Sequence, residues 1–404
     1  MAPSPLMPVE EALAAITAGV EPLPAETVAL DDAWERTLAE DLAAGRDQPP
    51  FNASAMDGYA VHGDDVDGTQ PVLKVVGQSA AGRAYTGPVK RGEAVRIFTG
   101  APVPDDCDTV VIQENTVRDG DLIRLTTPGT RGRHIRRRGV DFAAGQVLIA
   151  AGTRLNARHI GVAAAANQAQ LKVRRKPLVA ILPTGDELVA PGEVPRADQI
   201  ISSNNHALAA FVRRMGGEPV DLGIVADRME ALDKAIARGL DADILVTIGG
   251  ASVGDHDLVQ AALKARGLDL AFWKIAMRPG KPMMFGRLGA TRVVGLPGNP
   301  VSAQVCARIF LKPLIDRLLG RNAEDDQPDL LPVATALGAN DQRQDYLRAQ
   351  IIRDAEKGAM VAPQSLQDSS LQHNFAKADC LIIRPPHAPE AEPGTPVPIL
   401  RLDF

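Results

Sequence analysis

The stretch from residue 177 to 319 constrains the fold most, because strand-like apolar runs alternate there with amphipathic helical patterns. Strands are expected at 178–182, 218–224, 244–248 and 293–296, and helices at 203–215, from Asp227 onward, and at 302–319. Asp227 with Glu230 reads as a capping box opening the middle helix. Such alternation implies parallel pairing through right-handed crossovers. In sheets of this kind ligands bind outside the carboxyl ends of the strands. The loops in that position are Thr184-Gly185-Asp186-Glu187, the run from Gly249 to Asp257, and Pro297-Gly298-Asn299-Pro300-Val301-Ser302. Gly249, Gly250 and Gly254 let the backbone approach a ligand and aim amides at an anion. Ser252 and Ser302 add hydroxyl donors, and the helix after Pro300 adds its positive end. The expectation is a site for a small anion, most simply a phosphorylated one.

Glu187, Asp227, Asp255 and Asp257 fall at or near the strand ends. Carboxylates beside a phosphate site suggest a divalent metal, most simply Mg²⁺. Asp227 and Asp186 are explained equally well as helix caps, whereas Glu187 and Asp257 have no such explanation. Arg278-Pro279-Gly280-Lys281-Pro282, with Lys274 upstream, gathers cations on a stiff loop; a solvated basic turn is the plain alternative. A denser run, Arg131, Arg133, Arg136, Arg137 and Arg138, has no interleaved aromatics. With 3% aromatics and a net charge of -6, it suits a small polyanion or a partner subunit better than nucleic acid. Cys107, Cys306 and Cys380 are scattered, so neither a zinc site nor a disulfide framework is expected, and a reducing cytoplasm is the natural compartment. His62, His134 and His159 have no ligand spacing. The first residues do not look like a signal peptide, and no apolar run reaches the ~18 residues of a membrane span. No nucleophile elbow, Walker loop or HExxH occurs.

Outside this stretch, helices are expected at 9–18 and 33–42, with a brief strand at 28–30. Residues 46–145 are β-rich, with Gly and Pro turns between short strands such as 72–76 and 108–113. A helix at 155–166, capped by Asn156, is expected to pack back on the N-terminal helices, which makes the β-rich segment an insertion. After a polar linker at 321–328, residues 331–404 read as a small β-barrel or sandwich. The expected domains are thus 1–45 with 146–176, then 46–145, 177–326 and 327–404. Ser54-Ala55-Met56-Asp57-Gly58-Tyr59-Ala60 reads, on its residues alone, as a structural turn.

These motifs together resemble the molybdopterin molybdenumtransferase family, which includes the E domain of gephyrin. The matching pieces are Asn52 to Ala60, Phe98-Thr99-Gly100-Ala101-Pro102, Pro183 to Leu188, Gly249 to Gly254, Met277 to Pro282 and Leu296 to Ser302. They stand in the family's order over nearly the whole chain. The resemblance implies a multidomain α/β plus β architecture: a central three-layer α/β molybdopterin-binding-like domain, an inserted β-rich domain and a C-terminal β-barrel. It implies insertion of molybdate into adenylylated molybdopterin with release of AMP, assisted by Mg²⁺. It also implies a homodimer with a shared active site, and a molybdopterin adenylyltransferase as pathway partner. Asp57, Thr99, Glu187, Asp227 and Asp257 match the family's functional positions, the last three as metal ligands. In the family the turn carrying Asp57 faces the other subunit. Gly249, Gly250, Ser252, Gly298, Asn299, Lys274 and Arg136 are the expected substrate-binding residues. Arg278, Lys281, Ser302, Arg348 and Ser369 match the molybdate site, where a dianion needs charge-assisted donors and no adjacent carboxylate. Two departures stand out: Arg278 replaces the usual lysine, and the segment Gln364 to Ser370 replaces a glycine-rich loop. A non-catalytic scaffold module and a tungstate-inserting homologue are the alternatives.

Overall fold

The structure is a computed structural model that describes residues 6–66, 70–249, 258–321, 327–356 and 358–404. Its centre is a six-stranded sheet with the order Glu218–Asp221, Leu178–Pro183, Ile244–Ile248, Thr291–Leu296, Met284–Leu288, Asp269–Trp273. The first four of these strands are parallel. The last two are antiparallel additions, so the sheet is mixed where parallel pairing alone was expected. Gly289-Ala290 closes a two-residue hairpin at one of these joints, with Gly289 at φ +62 as such a tight turn requires.

Helices cover both faces of this sheet. Asn204–Met215 and the long run from Pro300 to Leu318 pack one face around Leu208, Phe211, Phe310 and Leu314. Met229–Gly239 and Leu258–Ala265 pack the other around Leu232, Ile236, Val259 and Leu263. The inner strand Leu178–Pro183 is accordingly apolar throughout, and every residue of Ile244–Ile248 is buried. The N-terminal helix, Val9–Thr17, turns Val9, Ala12 and Ile16 into the first of these clusters.

Several local expectations fail for identifiable reasons. The segment 33–42 is not a helix. A short 3-10 turn, Leu30–Ala33, is followed by Glu35 at φ +64, and bridges Thr37–Arg154 and Leu38–Val173 then take the chain into extended pairing. Leu38 and Leu42 are four apart yet bury against Leu155, Leu171 and Val173. Asp227 caps nothing: the next helix begins at Met229, its N-cap is Arg228, and no side chain bonds the first turn. No helix follows Asp186 either, because Leu188–Val189 pairs with Ile200–Ile201 as a small parallel ribbon. The cap at Asn156 forms, with His159 returning a bond to the Asn156 amide.

The Ala157–Ala165 helix packs in one cluster with residues from both sides of the β-rich segment, including Leu38, Leu42, Ile149 and Val173. The β-rich segment itself holds a six-stranded sheet with an apolar cluster on each side. The C-terminal strands run Asp329–Pro332, Pro396–Arg401, Cys380–Arg384, Gln344–Asp354 and Gly358–Pro363 in spatial order. A bridge between Val333 and Val361 brings the two ends of that order together, which closes a barrel and leaves no open edge there. No helix of the described residues is long and apolar enough to cross a membrane.

Phe310 is fully buried between the sheet and the helices on its face. Phe310→Ala should destabilise the central domain by about 3–5 kcal/mol. Thermal unfolding should show the transition of the central domain shifted down relative to the parent.

Candidate functional site

The parallel register decides where the loops meet. Pro183 lies opposite Ile248, and Ile248 opposite Leu296, so three adjacent strands end on one line. The loops that follow border a cleft of about 800 Å³. One of them needs glycine: Gly249 is at φ +88, where an added Cβ would also stand 3.0 Å from the Thr184 carbonyl oxygen. The far wall comes from the Met277–Pro282 loop and from residues 367–369 of the C-terminal domain.

Two contacts tie that C-terminal loop to the central domain. Asn299 donates from Nδ2 to Ser369 Oγ at 2.9 Å, and the Val301 amide donates to the Ser369 carbonyl at 3.0 Å. Across the cleft mouth, Asn204 donates to the Gly298 carbonyl at 2.7 Å, while its own Oδ1 is buried with no partner among the described residues. Asn204 escaped the sequence reading. The polar run Ser202-Ser203-Asn204-Asn205 ahead of a helix was the signal that could have found it.

One side of the cleft is acidic. Glu187 lines it and sits directly over Gly185, where any Cβ would overlap its carboxylate. The Asp227 amide donates to Asp186 Oδ1 at 3.2 Å, which brings Asp186, Glu187 and Asp227 into one neighbourhood. Burial, and then the charges of Asp186 and Glu187, push the Asp227 carboxyl above the usual carboxylate range. Among the described residues no group of three or more His, Cys, Asp or Glu stands close enough to hold a metal ion. Gly250, Ser252, Gly254, Asp255 and Asp257 lie outside the described residues.

The opposite side is cationic. Lys281 lines the cleft, and among the described residues it makes no ion pair. Ser302 is buried at the cleft wall, and Ser369 faces it from the C-terminal loop. Arg348 stands behind the lining, 3% exposed. It donates to the Tyr346 carbonyl at 3.3 Å and to the Gln367 carbonyl, and among the described residues no carboxylate bonds it. Burial pushes its guanidinium down to about 10. Arg278 also borders the cleft, but its donors go to Asp345 and Asp341. Carboxylates do therefore stand beside the expected oxyanion residues, contrary to expectation, and Asp368 is a further one on the lining.

The remaining expected residues lie elsewhere. Asp57 accepts from both the amide and the hydroxyl of Thr99, at 2.7 Å each. Those bonds hold its carboxyl below the usual range. The pair sits on the β-rich segment and does not line the cleft. Arg136 lies in the same segment, in a short strand paired with Ala53–Ser54. Lys274, at φ +81, lays its ammonium over the Trp273 ring at 4.6 Å and does not line the cleft either. Part of the arginine run is neutralised locally: Arg131 pairs with Asp64 and Asp108, and Arg138 with Asp47.

A three-layer α/β domain with a strand-end cleft, walled by a β-barrel, defines a multidomain protein of α/β plus β class. Family models match along the chain: the MoeA N-terminal region (domain I and II) at residues 7–167, a probable molybdopterin binding domain at 180–317, and the MoeA C-terminal region (domain IV) at 331–402. A molybdopterin molybdenumtransferase of Haemophilus influenzae is 35% identical over 90% of each chain. One from a Nostoc species is 39% identical over 78% of this chain and 75% of its own. A crystal structure of the molybdopterin biosynthesis MoeA protein from Pyrococcus horikoshii is 28% identical, with a TM-score of 0.85 over 99% of this chain and 100% of that one. The chain belongs to the molybdopterin molybdenumtransferase family.

Burial of the Asp227 carboxyl, with the charges of Asp186 and Glu187 beside it, predicts a measurable cost to stability. With its folded pKa raised, Asp227 favours the native state fully only below the unfolded carboxylate range, and this is lost as pH rises through the folded value. Asp227→Asn should therefore raise the melting midpoint of the metal-free protein at pH 7 by on the order of a degree or two. The gain should vanish in melts near pH 3, where the native carboxyl is already protonated.

Proposed function

We propose that this chain inserts molybdate into adenylylated molybdopterin and releases AMP. The observation that carries the reading is the division of the strand-end cleft into an acidic side, with Glu187, and a cationic side, with Lys281 and Arg348 behind it. An adenylylated phosphate suits the first through a bridging cation, and an oxyanion suits the second directly.

Glu187 and Asp227, with Asp257, would hold Mg²⁺. The donor set fits: it offers only hard carboxylate oxygens, and a divalent charge would relieve the repulsion that raises Asp227. When bound, the ion would polarise the phosphoanhydride as a Lewis acid. The chain's own groups do the rest. Gly249, at φ +88, lets the backbone turn its amides toward the phosphate, and Gly298 adds no side chain beside it. Lys281, Ser302 and Ser369 bind molybdate, and the buried Arg348 supports it from behind with a charge that, among the described residues, no carboxylate bonds. Much of the rate enhancement then comes from placing the two reactants together in a fixed electrostatic field.

Asp57 and Thr99 belong to a second copy's cleft on this reading. The bonds between them present an ionised carboxylate on an exposed turn that the cleft of their own chain does not reach. The active form is accordingly a homodimer in the cytoplasm, supplied by a molybdopterin adenylyltransferase. The domains divide as 1–45 with 146–176, then 46–145, 177–326 and 327–404.

The test is AMP release from adenylylated molybdopterin in the presence of molybdate. Glu187→Gln and Asp257→Asn should each lower the rate by ~100-fold or more, as loss of a metal ligand does. Circular dichroism and melting should remain close to those of the parent. Full turnover by both variants would sink the assignment.

A further inference from the structure

Arg278 and Lys281 share one loop, but their surroundings differ. Arg278 lies in a two-residue strand, Met277–Arg278, that pairs in parallel with the start of Gln344–Asp354, and its partner in register is Asp345. Its Nε donates to Asp345 Oδ1 at 2.9 Å and to Oδ2 at 3.0 Å, and its Nη2 also donates to Asp345. Nη1 reaches Asp341 at 3.4 Å. Every nitrogen of the guanidinium is thus committed to a carboxylate. Asp345 is 5% exposed. Asp341 is shared in turn with Arg343, at 3.1 Å.

An incoming dianion meets a guanidinium whose charge Asp345 and Asp341 already offset, and could claim its full fork only by drawing Arg278 away from Asp345. The exchange would leave a buried carboxylate without its cation, which is among the more unfavourable changes a protein interior can undergo. The planar fork of arginine suits this bidentate role, and a lysine ammonium would not span it. Lys281, three residues on, carries no such commitment among the described residues.

We infer that Asp345 is a positioning residue that holds Arg278 as a strut between the central and C-terminal domains, so that Arg278 is not a ligand of the oxyanion. Lys281 is the first cation the oxyanion meets, and Arg348 supplies charge from behind. The inference rests on the molybdate reading of the cleft, and it departs from that reading's family pattern at this one residue.

Titration calorimetry of the full chain with sodium molybdate tests it. Arg278→Gln combined with Asp345→Asn removes the pair as a neutral unit, and the dissociation constant should stay within about threefold of the parent. Lys281→Gln should weaken binding by roughly tenfold or more. Asp345→Asn alone should tighten binding by about three- to tenfold, because the freed guanidinium turns to the anion. A merely structural role for Asp345 would not produce that gain. If the double variant weakens binding as much as Lys281→Gln does, the inference is overturned. Asp345→Asn binding no tighter than the parent also overturns it, and this variant decides the matter should the double variant not fold. Absence of molybdate binding by the parent protein overturns the oxyanion reading itself, and the inference with it; that outcome is distinct from the other two.

Discussion

The register of the three central parallel strands is the constraint on which the rest depends. Because Pro183, Ile248 and Leu296 end on one line, the loops after them have no choice but to lie side by side. That alignment is fixed by burial rather than by the loops. The strands are covered on both faces by helices, so a slip of one residue would reorder the apolar contacts of both layers at once. The loops are then free to carry glycine, proline and charge, which contribute little to folding but decide what the cleft can bind.

The cleft also depends on a second domain. Its far wall is set by the C-terminal barrel, docked through Ser369 on Asn299 and Val301 and through the pairing of Met277–Arg278 with Gln344-Asp345. Arg348 enters the site only through this docking. The Gln367 side chain clamps its backbone, accepting from the Arg348 amide and donating to the Arg348 carbonyl, each at 2.9 Å. The guanidinium is held by carbonyls, and Asp345 and Asp368 lie close enough to act on its charge without bonding it among the described residues. Glu187 and Lys281 border the cleft from the same central domain, at the two ends of the row of strand-end loops, so charge is divided along the cleft rather than by domain, and a ligand that carries both a phosphate and an oxyanion acceptor is oriented before any chemistry begins.

The sequence makes the loops legible because each strand is a continuous apolar run that stops at Gly or Pro, and this signal is local. Residues 244–248 match the structure at both ends for that reason. What fails is non-local. Leu38 and Leu42 have helical spacing, yet their partners Leu155 and Val173 lie more than a hundred residues away, and pairing with them outweighs local propensity. The strands Asp269–Trp273 and Met284–Leu288 form an antiparallel edge that helix–strand alternation does not announce. Asp227 looked like a helix cap because caps and site acids favour the same residue types; the structure starts the helix at Met229 and leaves Asp227 beside Asp186.

Arg278 is the sharpest case of the same limit. From the sequence it and Lys281 are equivalent cations on one stiff loop, and nothing within that loop separates them. The difference comes from Asp345, 67 residues further on, placed opposite Arg278 by a two-residue pairing of strands from different domains. A carboxylate in that position reassigns the guanidinium from ligand to strut without altering a residue of the loop itself. Motif matching registers only that positive charge is kept. Whether a charge is available to a ligand is decided by what already neutralises it, and that is a property of the folded chain.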